Sequence, residues 1–230
     1  MTNSLLAYKF VALAMMLAEI NFCGNQLNLH TKLPIKEENV CSVFIPDPKF
    51  IGFGGRIDTY EYSFCFAQTG RLRFIVKLNH QHGMSLIDYQ KDLSSKKSRI
   101  DTNGAYNRAT NALMAIGVNV SKLEKFYTPT IEQRNYIDQP TVLKLPIFDV
   151  QWGPKAIPII SVTVSGIDDE VVSIRQQDDS YSTRPRELIK NTDRLLAIRD
   201  DEFLKMTREE KIKLIREYAA VQYGQRSINH

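Results

Sequence analysis

The chain has 230 residues, 43% hydrophobic and 24% charged, with 30 basic and 26 acidic side chains and a net charge of +4. This is the composition of a globular protein large enough to hold its core without disulfides or a metal. The two signs are interleaved, so the chain has no basic stripe of the kind that nucleic acid requires. The densest basic run, Lys96, Lys97 and Arg99, stands beside Asp92 and Asp101 and reads as a solvated loop. Three cysteines, Cys23, Cys41 and Cys65, are an odd number without C-x-x-C spacing, which argues against a disulfide framework or a zinc knuckle. At most one bridge can form, and the residues alone leave open whether any two are joined.

Taken in chain order, the first predicted element is a helix from about Ser4 to Leu29, with Leu6, Phe10, Leu13, Leu17 and Ile20 at three- and four-residue spacing. Lys9 followed by the apolar run Phe10 to Ala18 has the outline of a leader, with Cys23-Gly24 near a cleavage position. Glu19 and Asn21 follow at once, however, and the run is shorter than the ~20 apolar residues of a membrane span. It reads as part of the fold: no clear cleavable signal peptide and no transmembrane segment are expected.

A Pro-rich polar stretch from Pro34 to Pro48 comes next, followed by the glycine-dense Ile51-Gly52-Phe53-Gly54-Gly55. That run matches neither G-x-G-x-x-G nor a P-loop, and a strand follows where those motifs need a helix, so it reads as a bend entering a sheet. The period then drops to two. Tyr60, Tyr62, Phe64 and Phe66 share one strand face; after the turn Gln68-Thr69-Gly70, Leu72, Phe74, Val76 and Leu78 share another, with Arg71, Arg73 and Lys77 opposite.

A second helix is expected after Asp101 as N-cap, its stripe made of Ala109, Ala112, Leu113, Ile116, Val120 and Leu123. A polar stretch from Thr128 to Pro140 follows. Strands then carry Phe148, Val150 and Trp152; Ile160, Val162 and Val164; and, after a turn at Gly166 to Asp169, Val172 and Ile174. Beyond Pro185 the chain turns helical again, where Thr207-Arg208-Glu209-Glu210 is a capping box opening a helix that ends near Gly224.

Helix and hairpin thus occur twice, about 98 residues apart. Ala7-Tyr8 falls on Ala105-Tyr106, Met16 on Met114, Gly55 on Gly153, and Tyr60 to Phe66 on Ile159 to Val164 with one residue of slack. The expected fold class is α+β: two tandem helix-plus-antiparallel-sheet modules over residues 1–100 and 101–190, and a C-terminal helical extension over 191–230. The hairpin Tyr60-Glu61-Tyr62-Ser63-Phe64-Cys65-Phe66-Ala67-Gln68-Thr69-Gly70-Arg71-Leu72-Arg73-Phe74-Ile75 resembles the signature hairpin of PepSY-like modules, and the element order over about 200 residues resembles cystatin-like ones. The second copy departs from the pattern, with Asp168-Asp169 in place of the turn glycine and Pro158 early in the strand. The resemblance implies a non-catalytic inhibitor or interaction domain, outside the cytoplasm.

Candidate sites are few. His80 and His82 alternate on a strand and could share a metal ion, with Asp88 or a distant carboxylate needed to complete the set. Cys65 lacks a histidine partner in the sequence pattern. The pairs Asp168-Asp169, Asp178-Asp179 and Asp200-Asp201 read as turn residues. Asn119-Val120-Ser121 is a glycosylation sequon at a helix end, and Trp152, the lone tryptophan, is a core or edge residue before it is a partner anchor. No catalytic residue and no cofactor is assigned. The expectation is a non-enzymatic protein that binds protein or peptide through its sheet faces or the loops around 31–50 and 128–140. Two alternatives stand beside it: a hydrolase or metal-dependent enzyme with its site in the cleft between the modules, and a structural subunit docking through the C-terminal helix.

Overall fold

The computed structural model describes residues 5–27, 29, 31, 33–47, 53–67, 70–78, 86–138, 140–177, 180–183 and 189–219. It is an α+β protein. In chain order the elements are α1 (Leu6–Leu27), β1 (Val40–Phe44), β2 (Phe53–Thr59), β3 (Tyr62–Ala67), β4 (Leu72–Lys77), α2 (Leu86–Ser95), α3 (Thr102–Ala115), α4 (Val120–Glu124), β5 (Thr130–Asp138), β6 (Thr141–Trp152), β7 (Ile160–Ser165), β8 (Glu170–Gln176), α5 (Thr192–Leu196), α6 (Asp200–Lys205) and α7 (Arg208–Tyr218).

All eight strands join one sheet in the order β1-β2-β3-β4-β8-β7-β6-β5, and every pairing is antiparallel. Each half of the chain supplies a four-strand meander, and the last strands of the two meanders pair along the middle, with Ile75 opposite Ile174. On one side of this sheet a single apolar row crosses every strand in register: Val43, Ile57, Phe64, Ile75, Ile174, Val162, Val150 and Ile131. The six central members are fully buried. They lie under α1 and α3, which pack on each other and contribute Met16, Ile20, Cys23 and Leu27 from one and Ala105, Ala109, Ala112 and Leu113 from the other to the same core.

A second, smaller core lies on the far side of α1. There Ala7, Val11, Met15 and Ala18 meet Leu195, Phe203, Leu214 and Tyr218 of α5, α6 and α7. A helix buried on two sides must be apolar nearly all round, which is why α1 is so hydrophobic. Its full 22 residues, unlike the shorter apolar run, have the length and composition of a membrane-crossing helix. Here its two faces are covered by protein. The Asp200 carboxylate on α6 accepts a hydrogen bond from the Leu6 N–H at 3.0 Å, closing the start of α1.

Several expectations change. Asp101 caps α3 as foreseen, accepting from the Gly104 N–H at 2.8 Å. The helix then stops at Gly117, whose φ of +83° allows the bonds from Gly117 N–H to Met114 and from Val118 N–H to Leu113 that terminate a helix. Asn119 starts the short α4 by capping the Lys122 N–H, so Val120 and Leu123 belong to a separate turn. The polar stretches expected as loops contain the edge strands β1 and β5: β5 is mostly polar, and β1 is only five residues long and exposed along most of its length. Residues 86–95, unassigned in the sequence reading, form α2 against β5 and β6. Among the described residues three helices follow residue 190 where one was expected; the capping box at Thr207 and Glu210 is formed, while Val221 and Gly224 lie outside the described residues.

The register shifts at several pairings, including β1 at Cys41 and β5 between Gln133 and Asn135, and two β-bulges reset the core-facing residues of the central hairpins. One lies opposite Cys65/Phe66 and the other opposite Thr163/Val164, each adding a residue, Arg73 and Val172 respectively, to the returning strand. Leu72 and Ile75, and Val171 and Ile174, therefore enter the core, in place of the simple alternation through Phe74 and Val172. Tyr60 lies in the connection between β2 and β3 and is exposed. The offset of 98 holds for β3 against β7, but not along the rest. Gly55 stands opposite Phe66 at the start of β2, whereas Gly153 lies past the end of β6. Met16 is buried and Met114 exposed, and Ala7 faces the small core while Ala105 faces the large one. Loops of different length separate the matched strands, so no constant shift can hold.

Ile75 at the mid-sheet pairing is fully buried, so Ile75→Ala is expected to cost about 2–5 kcal/mol in a urea or guanidinium unfolding titration.

Candidate functional site

The side of the sheet facing away from α1 and α3 is polar, and its polarity is ordered into a rung. Ser42, Asp58, Ser63, Val76, Ser173, Thr163, Asp149 and Glu132 follow one another across the strands in register. At one end Asp58 accepts hydrogen bonds from Ser42 Oγ at 2.9 Å and Arg56 Nε at 2.7 Å, and Ser63 also bonds to it. At the other, Asp149 accepts a two-pronged bond from Arg134 at 2.6 and 2.9 Å and one from Thr163 Oγ1 at 2.7 Å, while Ser173 bonds Thr163 at 3.0 Å. Val76, beside the mid-sheet pairing, interrupts the ladder.

Burial pushes the Asp58 carboxyl up, but its bonds from Arg56, Ser63 and Ser42 outweigh that and hold it below the ordinary carboxylate range. Burial also pushes the neighbouring Cys65 thiol up, against smaller opposing effects from Ser63 and Arg56. A nucleophilic cysteine needs a stabilised thiolate, and the Cys65 environment favours the neutral thiol. Asp58 and Asp149 are each bound by a guanidinium, so their carboxylates are engaged in structural bonds. The rung is suited to holding the sheet face in shape and to offering hydrogen bonds.

At the mid-sheet pairing, side chains from the two halves of the chain converge. Tyr62 on β3 donates its hydroxyl to Glu170 Oε1 on β8, and Lys77 on β4 reaches Glu170 Oε2 at 2.5 Å. Glu170 is 1% exposed and Tyr62 fully buried. Nearby, Arg71 bonds Ser182, and the Arg73 guanidinium donates to the Gln176 and Gln177 carbonyls. These contacts were invisible in the sequence because they link positions about a hundred residues apart.

Trp152, weighed as a partner anchor, is fully buried in the main core. Its indole N–H donates to Glu124 Oε1 at 3.2 Å, an oxygen that also accepts from the Tyr106 hydroxyl at 2.7 Å. That bond, then burial, raises the Tyr106 pKa. The metal candidates His80 and His82 lie outside the described residues, as do His30 and the Asp178-Asp179 pair. Among the described residues no group of three or more His, Cys, Asp or Glu could hold a metal ion. Cys23, Cys41 and Cys65 are free thiols: buried, exposed and half-buried in turn. Asp169 sits in the β7–β8 turn with φ +52° and pairs with Arg108, and Asp201 pairs with Arg199 at the start of α6. Lys96, Lys97 and Arg99 are exposed beyond the end of α2.

Removing Glu170 leaves Lys77 and the Tyr62 hydroxyl without their carboxylate, so Glu170→Ala should lose about 3–5 kcal/mol of stability, with Glu170→Gln losing less. Folding lowers the Asp58 pKa, so its bonds add stability that is present above the ordinary carboxylate pKa and is lost as pH falls through the folded value. In denaturant titrations below about pH 4, Asp58→Asn should weaken the acid dependence of stability, and parallel curves for the two proteins would contradict this.

Compared with known protein families, curated proteins and solved structures, the chain matches none.

Proposed function

We propose that this is a non-enzymatic interaction protein, made of two fused helix-plus-four-strand units of the PepSY-like or cystatin-like kind, that accepts an extended protein or peptide segment along the outer edge of β1, which pairs with no other described strand. The units are residues 1–100 and 101–190, extended by 191–230. Three observations support the fusion. β3 and β7 lie 98 residues apart, the two bulges fall at the same place in the two hairpins, and the matched residues Ile75 and Ile174 face one another. Equivalent residues meeting face to face is the signature of a two-fold contact.

The observation that carries the binding reading is the contrast between the two edges of the sheet. Both edge strands carry a bulge, β1 at Cys41 and β5 between Gln133 and Asn135, but only β5 is guarded by charge, with Glu132 and Arg134 along it. β1 has no charged residue in Val40–Phe44, and it exposes Val43 at 42% and Phe44 at 56%. An uncharged edge with exposed apolar side chains is a template for strand addition, in which main-chain bonds supply affinity and alternate side chains supply specificity.

A second reading, an enzyme sited between the units, is favoured by the meeting of Tyr62, Lys77 and Glu170. Both Glu170 oxygens are occupied and Tyr62 is sealed from solvent, so the triad serves better as a clamp than as a reactive centre.

Selection of a displayed eight-residue peptide library on the sparsely immobilised protein tests the edge reading. Enriched peptides should alternate apolar and other residues and should lose at least ~10-fold in affinity to Val43→Lys, about 1.4 kcal/mol. Peptides indifferent to that substitution would contradict it.

A further inference from the structure

The partner at β1 can be named more closely, on the assumption that the edge reading above is right. The apolar row from Val43 to Ile131 is closed at its β5 end, where Ile131 packs against the main core beneath α3. At the β1 end it runs out into solvent: Ile57 is fully buried and its neighbour Val43 is 42% exposed. The core of the sheet thus ends one strand too late for its cover. An occupant must continue the row, present a strand edge, and carry no charge opposite the neutral β1.

We infer that this occupant is a second copy of the same chain, its β1 pairing antiparallel with β1 across a two-fold axis at Val43. In that register the Val43 side chains of the two copies meet and extend the apolar row from one sheet into the other. Ser42 faces the second copy's Phe44 on either side of the Val43 pair, the regular register ending at the bulge at Cys41, and no charged residue lies in the paired stretch. The arrangement repeats at the edge what the chain already does in its middle, where Ile75 meets its equivalent Ile174. The same self-pairing by β5 would have to accommodate its charged side chains, Glu132 and Arg134, which β1 lacks. A strand of five residues buries less than the ~1,200 Å² of a standard interface, so the pairing is a concentration-dependent one.

Light scattering of the full chain over a concentration series should show the mass rising from one copy towards two, with the midpoint moved upward at least ~10-fold in Val43→Lys. Register is read separately by air oxidation of the chain carrying Cys41→Ser and Cys65→Ser. Val43→Cys in that background should yield a disulfide-linked dimer on a non-reducing gel. Ser42→Cys should not, because its counterpart lies two residue steps away. A single-copy mass up to ~1 mM, or linkage of Ser42→Cys as efficient as that of Val43→Cys, would overturn the inference. If the chain stays single-copy while selected peptides still bind in a Val43-dependent way, the second copy is ruled out as occupant and the edge reading stands. Loss of both defeats both.

Discussion

The hydrogen-bonded pairing of β4 with β8 is the constraint on which the rest of this molecule depends. Without it the chain would contain two four-strand meanders, each with an open edge in the middle of its apolar surface. With it, one buried row runs from β2 to β6 and two helices cover it side by side. Polar side chains lock the same place. Glu170 ties β8 to Tyr62 and Lys77, and the Arg73 guanidinium is bound to the carbonyls at the end of β8. The geometry also explains what is left uncovered. Eight strands spaced ~4.8 Å apart span roughly 34 Å, whereas two packed helices cover about 20 Å. α2 adds cover over β5 and β6. At the β1 end Val40 and Ile45 still pack against the core, while Val43 is exposed.

α1 belongs to two cores at once. One side closes the sheet and the other receives α5, α6 and α7, whose Phe203 ring lies 5.5 Å from that of Phe10. The C-terminal helices are therefore a lid on α1 as much as an extension of the chain. Their first turns are rich in acid, with Asp200, Asp201 and Glu202 starting α6, as suits the positive end of a helix. Asp200 serves a second helix as well, at the start of α1.

Much of the fold could be read from the residues, and the failures have physical causes. The hairpins were legible because period two, aromatic and β-branched residues, and a turn signal coincide between Tyr62 and Ile75 and again between Ile160 and Ile174. The Asp101 cap and the Thr207 capping box were legible because both are local hydrogen bonds. β1 and β5 were hidden: an edge strand needs no alternation, and Thr130 to Asp138 reads as a polar loop. α2 was hidden for the same kind of reason, since it exposes Ile87 and carries mostly polar residues around Leu93, which is buried. The bulge residues Arg73 and Val172 could not be seen, because a bulge is a property of two strands together. The polar rung and the Glu170 clamp needed the register of all eight strands. Trp152 was correctly weighed towards the core, but its Glu124 partner, twenty-eight residues earlier, left no local trace.

The most direct measurement of the central claim is native-state hydrogen exchange of the backbone amides in β4 and β8. If the two halves are one cooperative sheet, the amides bonded across this pairing, within Phe74 to Val76 and Ser173 to Arg175, exchange only through global unfolding. Their opening free energies are then equal to one another and to the stability measured by denaturant. If one half opens while the other keeps its protection, the two meanders fold independently and the pairing between them is an accessory contact.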